Sequence, residues 1–333
     1  SINKLSNLKT FTCGFDLSSV SGLELGFDER KKAEEISSFL KTEQYEMILK
    51  SGDMEKCLKR LAWHIEEPRV GQSYPNYYIA QLASKFVKVV FSGTGGDELF
   101  AGYPWRYYKS SLSQDFETFI DSYYLYWQRL IDNKDIKNLL QPIWNEVKDV
   151  WTRDIFRHVF LNHDVTLDTP TDYINHSLYF EAKTFLHGLL LIEDKISMSF
   201  GLENRVPFLD NDLVDFAMSC PLNLKLKNLE SNFRIDENLF GNKEKKYFQK
   251  TNDGKQILRK ALSKYLPEDI TRAQKKGFTS PDATWFKGQS IGWVKEKLFN
   301  KNAKIYEFLD YNTSINLLND HINGKENRRL FIW

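Results

Sequence analysis

The chain has 333 residues, enough for one large domain or two modest ones with a substantial buried core. Its 46 Lys and Arg against 45 Asp and Glu give no electrostatic reason to expect nucleic acid or a membrane surface as the main partner. Cys13, Cys57 and Cys220 are odd in number and far apart, which argues against a disulfide framework or zinc site and for a reduced, cytoplasmic setting.

The run "LKTFTCGF" (8–15) reads as a short buried strand, and "FDERKKAEEISSFLK" (27–41) as a charged helix capped by Asp28. "QYEMIL" (44–49) is a second strand. "DMEKCLKRLAWHI" (53–65) is an amphipathic helix with Cys57, Leu58, Leu61 and Ile65 at helical spacing. A loop follows, and Pro75 opens the helix "NYYIAQLASK". "VKVVF" (87–91) is a third strand. This alternation over the first hundred residues predicts α/β architecture with a parallel sheet. From about residue 115 the pattern is nearly all helical, and the many aromatics scattered there point to a helix-rich core. The polar, lysine-rich segment 225–250 reads as a loop or insertion. No apolar run reaches membrane-spanning length, and no secretory signal pattern is present. The chain starts at Ser1, almost directly before a strand, and is read as a fragment of a longer protein.

The third strand runs into Ser92-Gly93-Thr94-Gly95-Gly96-Asp97-Glu98. A glycine-rich turn at the carboxyl end of a parallel strand can bring bare backbone N–H groups against an anion, with phosphate the natural guest. Acids placed at once beside it call for a cation, and magnesium bridges carboxylates and phosphate oxygens. The bland alternative is a tight strand–helix turn with Asp97 as its cap. The dinucleotide fingerprint fails because Glu98 stands where its third glycine belongs. The Walker loop fails for want of Lys-Ser/Thr.

"SGTGGDELFAGY" closely resembles the pyrophosphate-loop motif of the synthetase (C-terminal) domain of glutamine-hydrolysing asparagine synthetases. Two later stretches, "EDKISMSFGLENRVPFLDNDLVDFAM" (193–218) and "ILRKALSKYLPEDITRAQKKGFTSP" (257–281), resemble further signatures of that family, in the same order. The resemblance covers residue 8 to about 286. It implies a parallel-sheet core of the adenine nucleotide alpha-hydrolase-like (PP-loop ATP pyrophosphatase) kind with many added helices. On this reading 1–333 is one such domain, its α/β core at about 8–110 and its helical part at about 111–333. The implied reaction uses ATP and Mg2+ to activate a carboxylate, first of all L-aspartate, as an acyl-adenylate. Pyrophosphate leaves, and ammonia from glutamine makes the amide.

By the same resemblance Ser92, Gly93, Gly95 and Gly96 line the nucleotide and pyrophosphate site, and Asp97 holds magnesium. Cys13 and Gly14 lie by the adenine through their backbone, with no redox role implied. Lys275 stabilises negative charge as the adenylate forms, with Lys276 its alternative. A compact ammonium suits a developing phosphate anion. On spacing alone, "QKKG" is a basic helix end closed by glycine. Glu203 and Arg205 read as a pair or loop anchor, Asp210 as a helix cap, and Asp194 and Lys195 as the start of a helix facing the site. His64 and His187 lack partners at metal spacing and read as packing residues.

Two departures stand out. The ATP loop of the form SGG(L/I)DS is absent and should lie one strand and one helix before residue 8, and the glutaminase domain is missing from this chain. The fragment alone is therefore expected to be inactive. Thr94 stands where asparagine-forming members usually carry an acid, so the acceptor could be another carboxylate, such as a sugar acid. A non-catalytic scaffold of the same fold is a further alternative; a tRNA-modifying relative is disfavoured by the neutral charge. A homodimer is left open; no nucleic acid or membrane partner is expected.

Overall fold

The computed structural model describes residues 7–68, 73–128, 130–162, 166–227, 253–273, 275 and 279–333. Strand β1 (Lys9–Phe15) is followed by helix α1 (Arg30–Leu40) and strand β2 (Glu43–Leu49), which pairs in parallel with β1 from Lys9↔Glu43 to Phe15↔Leu49. A parallel pair needs such a crossover, and the charged helix supplies it. Asp28 accepts the Arg30 N–H at 3.1 Å and clasps the Arg30 guanidinium, fixing the start of α1.

Helix α2 (Asp53–Ile65) turns Met54, Cys57, Leu61 and Ile65 inward, all at least 95 % buried. They pack with Phe15 and Leu49 and with Tyr74 and Tyr77 of α3 (Ser73–Ala83) in the first core. Pro75 falls in the first turn of α3, where its missing N–H costs no hydrogen bond.

The expected sheet differs in one respect. Strand β3 (Val89–Phe91) joins neither β1 nor β2 but pairs in parallel with β4 (Glu203–Arg205), so the described residues hold two two-stranded parallel sheets. The "ENR" segment is three polar residues with no β-branched or aromatic member, and only its pairing with β3 makes it a strand. Glu203 and Arg205 pair at 2.9 Å beside it.

The rest is helical, as its pattern predicts. After β3 come the short α4 (Gly96–Leu99) and α5 (Pro104–Ser110), then α6 (Phe116–Trp127) and α7 (Thr152–His158). Helix α8 (Pro170–Phe180) runs through a π-helical turn (Glu181–Leu186) into α9 (His187–Met198). Phe119, Tyr123, Phe156, Phe160, Tyr173 and Phe180 form an aromatic core between α6, α7 and α8. Asp210 caps α10 (Asn211–Ser219) through the N–H groups of Asp212 and Leu213. Helix α11 (Gln256–Leu262) follows. Most of the predicted loop at 225–250 lies outside the described residues, as does Lys276. Among the described residues no helix is long and apolar enough to cross a membrane.

Candidate active site

The turn at 92–96 leaves the carboxyl end of β3 and enters α4, which is only four residues long. Gly95 has φ +94°, and a Cβ there would lie 2.6 Å from Leu209 Cδ2. Both left-handed backbone and lack of room thus require glycine. Gly95→Ala is expected to cost about 1–3 kcal/mol of stability, read as a lowered denaturant midpoint. An unchanged midpoint would show that the turn adopts another conformation.

Asp97 is the centre of the site. Its Oδ1 lies 2.7 Å from Lys255 Nζ and its Oδ2 2.8 Å from Lys275 Nζ, the three side chains being 14–24 % exposed. Burial works to raise the Asp97 pKa, yet the two ammonium groups outweigh it and hold the carboxyl at about 2. Burial in turn lowers Lys255. Lys275 also sits 5.2 Å from the centroid of the Tyr103 ring, within cation–π range.

The lysines reach this point through backbone anchors. The Lys255 N–H donates to Phe100 O at 2.9 Å. Arg259 in α11 donates to Gly254 O at 3.0 Å, Thr271 O at 2.7 Å and Ala273 O at 2.9 Å, tying together the segments that precede both lysines. Gly102 completes the arrangement: a Cβ there would fall 1.9 Å from Asp97 Oδ1.

A folded pKa of about 2 against an ordinary 3.8 has a definite consequence. The stabilisation is present in full above pH 3.8 and is lost as pH falls through about 2. Asp97→Asn should therefore unfold more easily than the parent by about 2 kcal/mol near neutral pH. In urea melts at decreasing pH, that gap should close below pH 4 by about pH 2. A gap independent of pH would show that the ion triad contributes nothing.

On the other flank of the turn, Ser92 Oγ donates to Glu193 Oε2 at 3.0 Å, and Thr94 Oγ1 donates to Glu193 Oε1. Asn204 Nδ2 of β4 donates to Glu193 Oε2 at 3.0 Å. Asp194 and Lys195 do not begin a helix: both lie in the last turns of α9. Asp194 is exposed, and Lys195 Nζ donates to Ile65 O at 2.6 Å, so the residue of α9 that meets the turn is Glu193.

Behind Asp97, Glu98 is 3 % exposed and accepts from Tyr103 Oη at 2.9 Å, its pKa raised by burial. The Arg106 guanidinium lies 3.8 Å from the Tyr103 ring centroid and 3.3 Å from Glu181 Oε1. Glu181, fully buried at the start of the π-helical turn, also accepts from Tyr107 Oη at 2.9 Å and Tyr123 Oη at 3.2 Å. A charged stack thus runs from the lysines through Tyr103 and Arg106 into the core.

Cys13 and Gly14 sit at the carboxyl end of β1. Arg30 packs so tightly on Gly14 that a Cβ there would lie 2.4 Å from its Cδ. Burial pushes the Cys13 thiol up to about 12, which leaves it unreactive near neutral pH. Asp28 and Arg30 are the charged groups that bear on it.

The asparagine synthase family profile matches residues 2–333. The chain belongs to the asparagine synthase family. The adenine nucleotide alpha-hydrolase fold and the use of ATP follow at the level of the family. Asparagine synthetase (glutamine-hydrolyzing) 1 of Bacillus subtilis is 28 % identical over 353 residues, covering 98 % of this chain and 50 % of the relative. A putative asparagine synthetase (glutamine-hydrolyzing) of Mycobacterium tuberculosis is 23 % identical, with 98 % and 49 % covered. A Penicillium rubens protein named amidase chyE is 24 % identical, with 93 % and 49 % covered. The chain spans about half the length of these relatives.

Among the described residues no three His, Cys, Asp or Glu gather as a metal cluster. Asp97 is the carboxylate beside the lysines, Glu193 is engaged by the hydroxyls of Ser92 and Thr94, and Glu98 is turned to Tyr103. This donor set fits a magnesium ion that arrives with a polyphosphate and takes one carboxylate, not one held by protein alone. Lys255, Glu193, Arg106 and Glu181 escaped the sequence reading. Lys255 was hidden next to a lysine-rich segment, and its one local mark is the preceding Gly254, which packs against Ala101 O.

Proposed function

We propose that the full-length protein is an ATP-dependent carbon–nitrogen ligase. It activates a carboxylate, L-aspartate being the first candidate, as an acyl-adenylate, and ammonia derived from glutamine by a separate domain converts it to the amide, with AMP and pyrophosphate released. The observation that carries this reading is the meeting of Lys255 and Lys275 on Asp97 at the glycine turn. A two-lysine cluster beside open backbone N–H groups is suited to a leaving pyrophosphate. The lysine pair, more than the dipole of the four-residue α4, supplies the positive charge.

In this mechanism the N–H groups of Gly93 and Gly95 orient the phosphates, and Ser92 and Gly96 line the turn beside them through contacts within the protein. Lys275 and Lys255 offset the charge that builds on the bridging oxygen as the P–O bond breaks. Asp97 holds the two ammonium groups in place and would hold magnesium. That ion, when bound, would neutralise polyphosphate charge. Cys13 and Gly14 are proposed to face the adenine through their backbone.

A second reading is a paralogue that amidates another carboxylate, such as a sugar acid. Thr94 favours it: a hydroxyl donates a hydrogen bond but brings no charge to the turn. One screen separates these readings from a non-catalytic scaffold. The full-length protein is assayed for carboxylate-dependent exchange of pyrophosphate into ATP across L-aspartate and sugar acids, and then for amide formation with ammonium. Exchange with one acid identifies the acceptor. No exchange with any acid, together with no calorimetric binding of millimolar Mg-ATP, would overturn the ligase reading in favour of the scaffold.

A further inference from the structure

The residues at 92–97 face two ways. Asp97 meets cations, whereas Ser92 and Thr94 both hand their hydroxyl protons to one carboxylate, Glu193, on a different element. Each Glu193 oxygen is engaged by the turn, and Asn204 at 3.0 Å fixes Oε2 from β4. The neighbours of Glu193 on α9 are committed elsewhere, Lys195 to Ile65 O and Asp194 to solvent. The turn therefore has a cationic flank and an anionic one. A cationic flank suits a departing phosphate. Amide formation also needs an acceptor for the proton that the incoming nitrogen sheds, and Thr94, being a hydroxyl, cannot keep it.

Resting on the ligase reading above, we propose that Glu193, acting through the Thr94 hydroxyl, accepts the proton released in amide formation. The ammonia nitrogen forms a bond to the acyl carbon with its lone pair. The bond from that carbon to the phosphate oxygen breaks, and AMP leaves with the electron pair. One N–H proton passes to Thr94 Oγ1 as the hydroxyl gives its own proton to Glu193 Oε1. The products are a neutral amide, AMP and a protonated Glu193, which returns its proton to water. The acid is thus carried by α9 and reaches the reacting centre by way of the turn.

A merely structural tether would use the same hydrogen bonds, so the test separates charge from tethering. In the full-length protein Glu193→Gln keeps an acceptor oxygen for the turn but loses the charge. It should lower ammonia-dependent amide formation at least about 100-fold while lowering pyrophosphate exchange less than about tenfold. Adding Thr94→Glu to it returns a carboxylate to the turn and should recover about tenfold or more of the loss. Thr94→Val should mimic Glu193→Gln, and Thr94→Ser should retain activity. Amide formation at the parent rate in Glu193→Gln, or exchange and amide formation falling in equal proportion, would overturn the proposal. Exchange by the parent protein is the control: its absence sinks the ligase reading itself, whereas parent exchange with an unaffected Glu193→Gln sinks this proposal alone.

Discussion

Lys275→Ala should lower carboxylate-dependent pyrophosphate exchange about 100- to 1000-fold in the full-length protein, the loss seen when one preorganised charge donor is removed from a site of developing anion. Glutamine hydrolysis, housed in a separate domain on the proposed reading, should persist. Lys275 is expected to matter more than Lys255. It is the less exposed of the two, at 14 % against 24 %, and is backed by the Tyr103 ring, so its charge is less screened by water. Lys255→Ala should therefore cost about tenfold. Lys275→Arg should not restore the rate, because a planar fork cannot take the place of a point charge packed between a carboxylate and an aromatic face. Asp97→Asn keeps both lysines but removes the charge that holds them together, and should abolish exchange as well. Retained exchange in Lys275→Ala and Asp97→Asn would contradict the roles given to both.

The contact between Asp97 and Lys275 spans 178 residues, and it was the resemblance, not the local pattern, that linked the two stretches. Locally, the glycine turn was legible because Gly95 answers to a positive φ and a crowded neighbour, constraints that act within a few residues and leave a mark in sequence. Helix α2 and the Asp210 cap were legible for the same reason: their burial or capping is periodic or adjacent. Strands β1 and β2 were marked instead by their Thr, Phe, Tyr and Ile content, β1 being buried only at Gly14 and Phe15. The pairing of β3 with "ENR" was not, since three polar residues become a strand only through a partner more than a hundred positions away. Glu193 was passed over because its neighbours Asp194 and Lys195 drew the reading. Which member of a run of charged residues on a helix faces a site depends on the rotation of that helix. For α9 that rotation is set by Ile192 and Ile196 packing into the first core, which turns Glu193 toward the glycine turn. Arg106 and Glu181 lie in aromatic surroundings that a sequence pattern registers simply as core.

That buried pair carries the second large effect. Arg106 and Glu181 are 4 % and 0 % exposed, and Tyr107 and Tyr123 complete the hydrogen bonding of the carboxylate. Such a pair contributes little beyond what an apolar pair would, but breaking it strands a charge in the core. Arg106→Leu should therefore destabilise the protein by about 3–5 kcal/mol. The pH dependence distinguishes this from simple loss of packing. Burial raises the Glu181 carboxyl above its ordinary 4.5, and Arg106 opposes that rise. Without Arg106 the folded state holds its proton to a higher pH than the unfolded chain does. The stability of Arg106→Leu should then fall as pH rises above 4.5 and partly recover in acid, where Glu181 is neutral in both states. The double variant Arg106→Leu, Glu181→Leu removes both charges and should regain more than half of the loss, without the fall in stability above pH 4.5 that the Glu181 carboxyl causes. Exchange activity need not return with stability, because Arg106 also braces the Tyr103 ring on which Lys275 rests. A double variant as unstable as the single one would show that the stacking of Arg106 on Tyr103, Trp127 and Phe185, and not its charge, holds this part of the core.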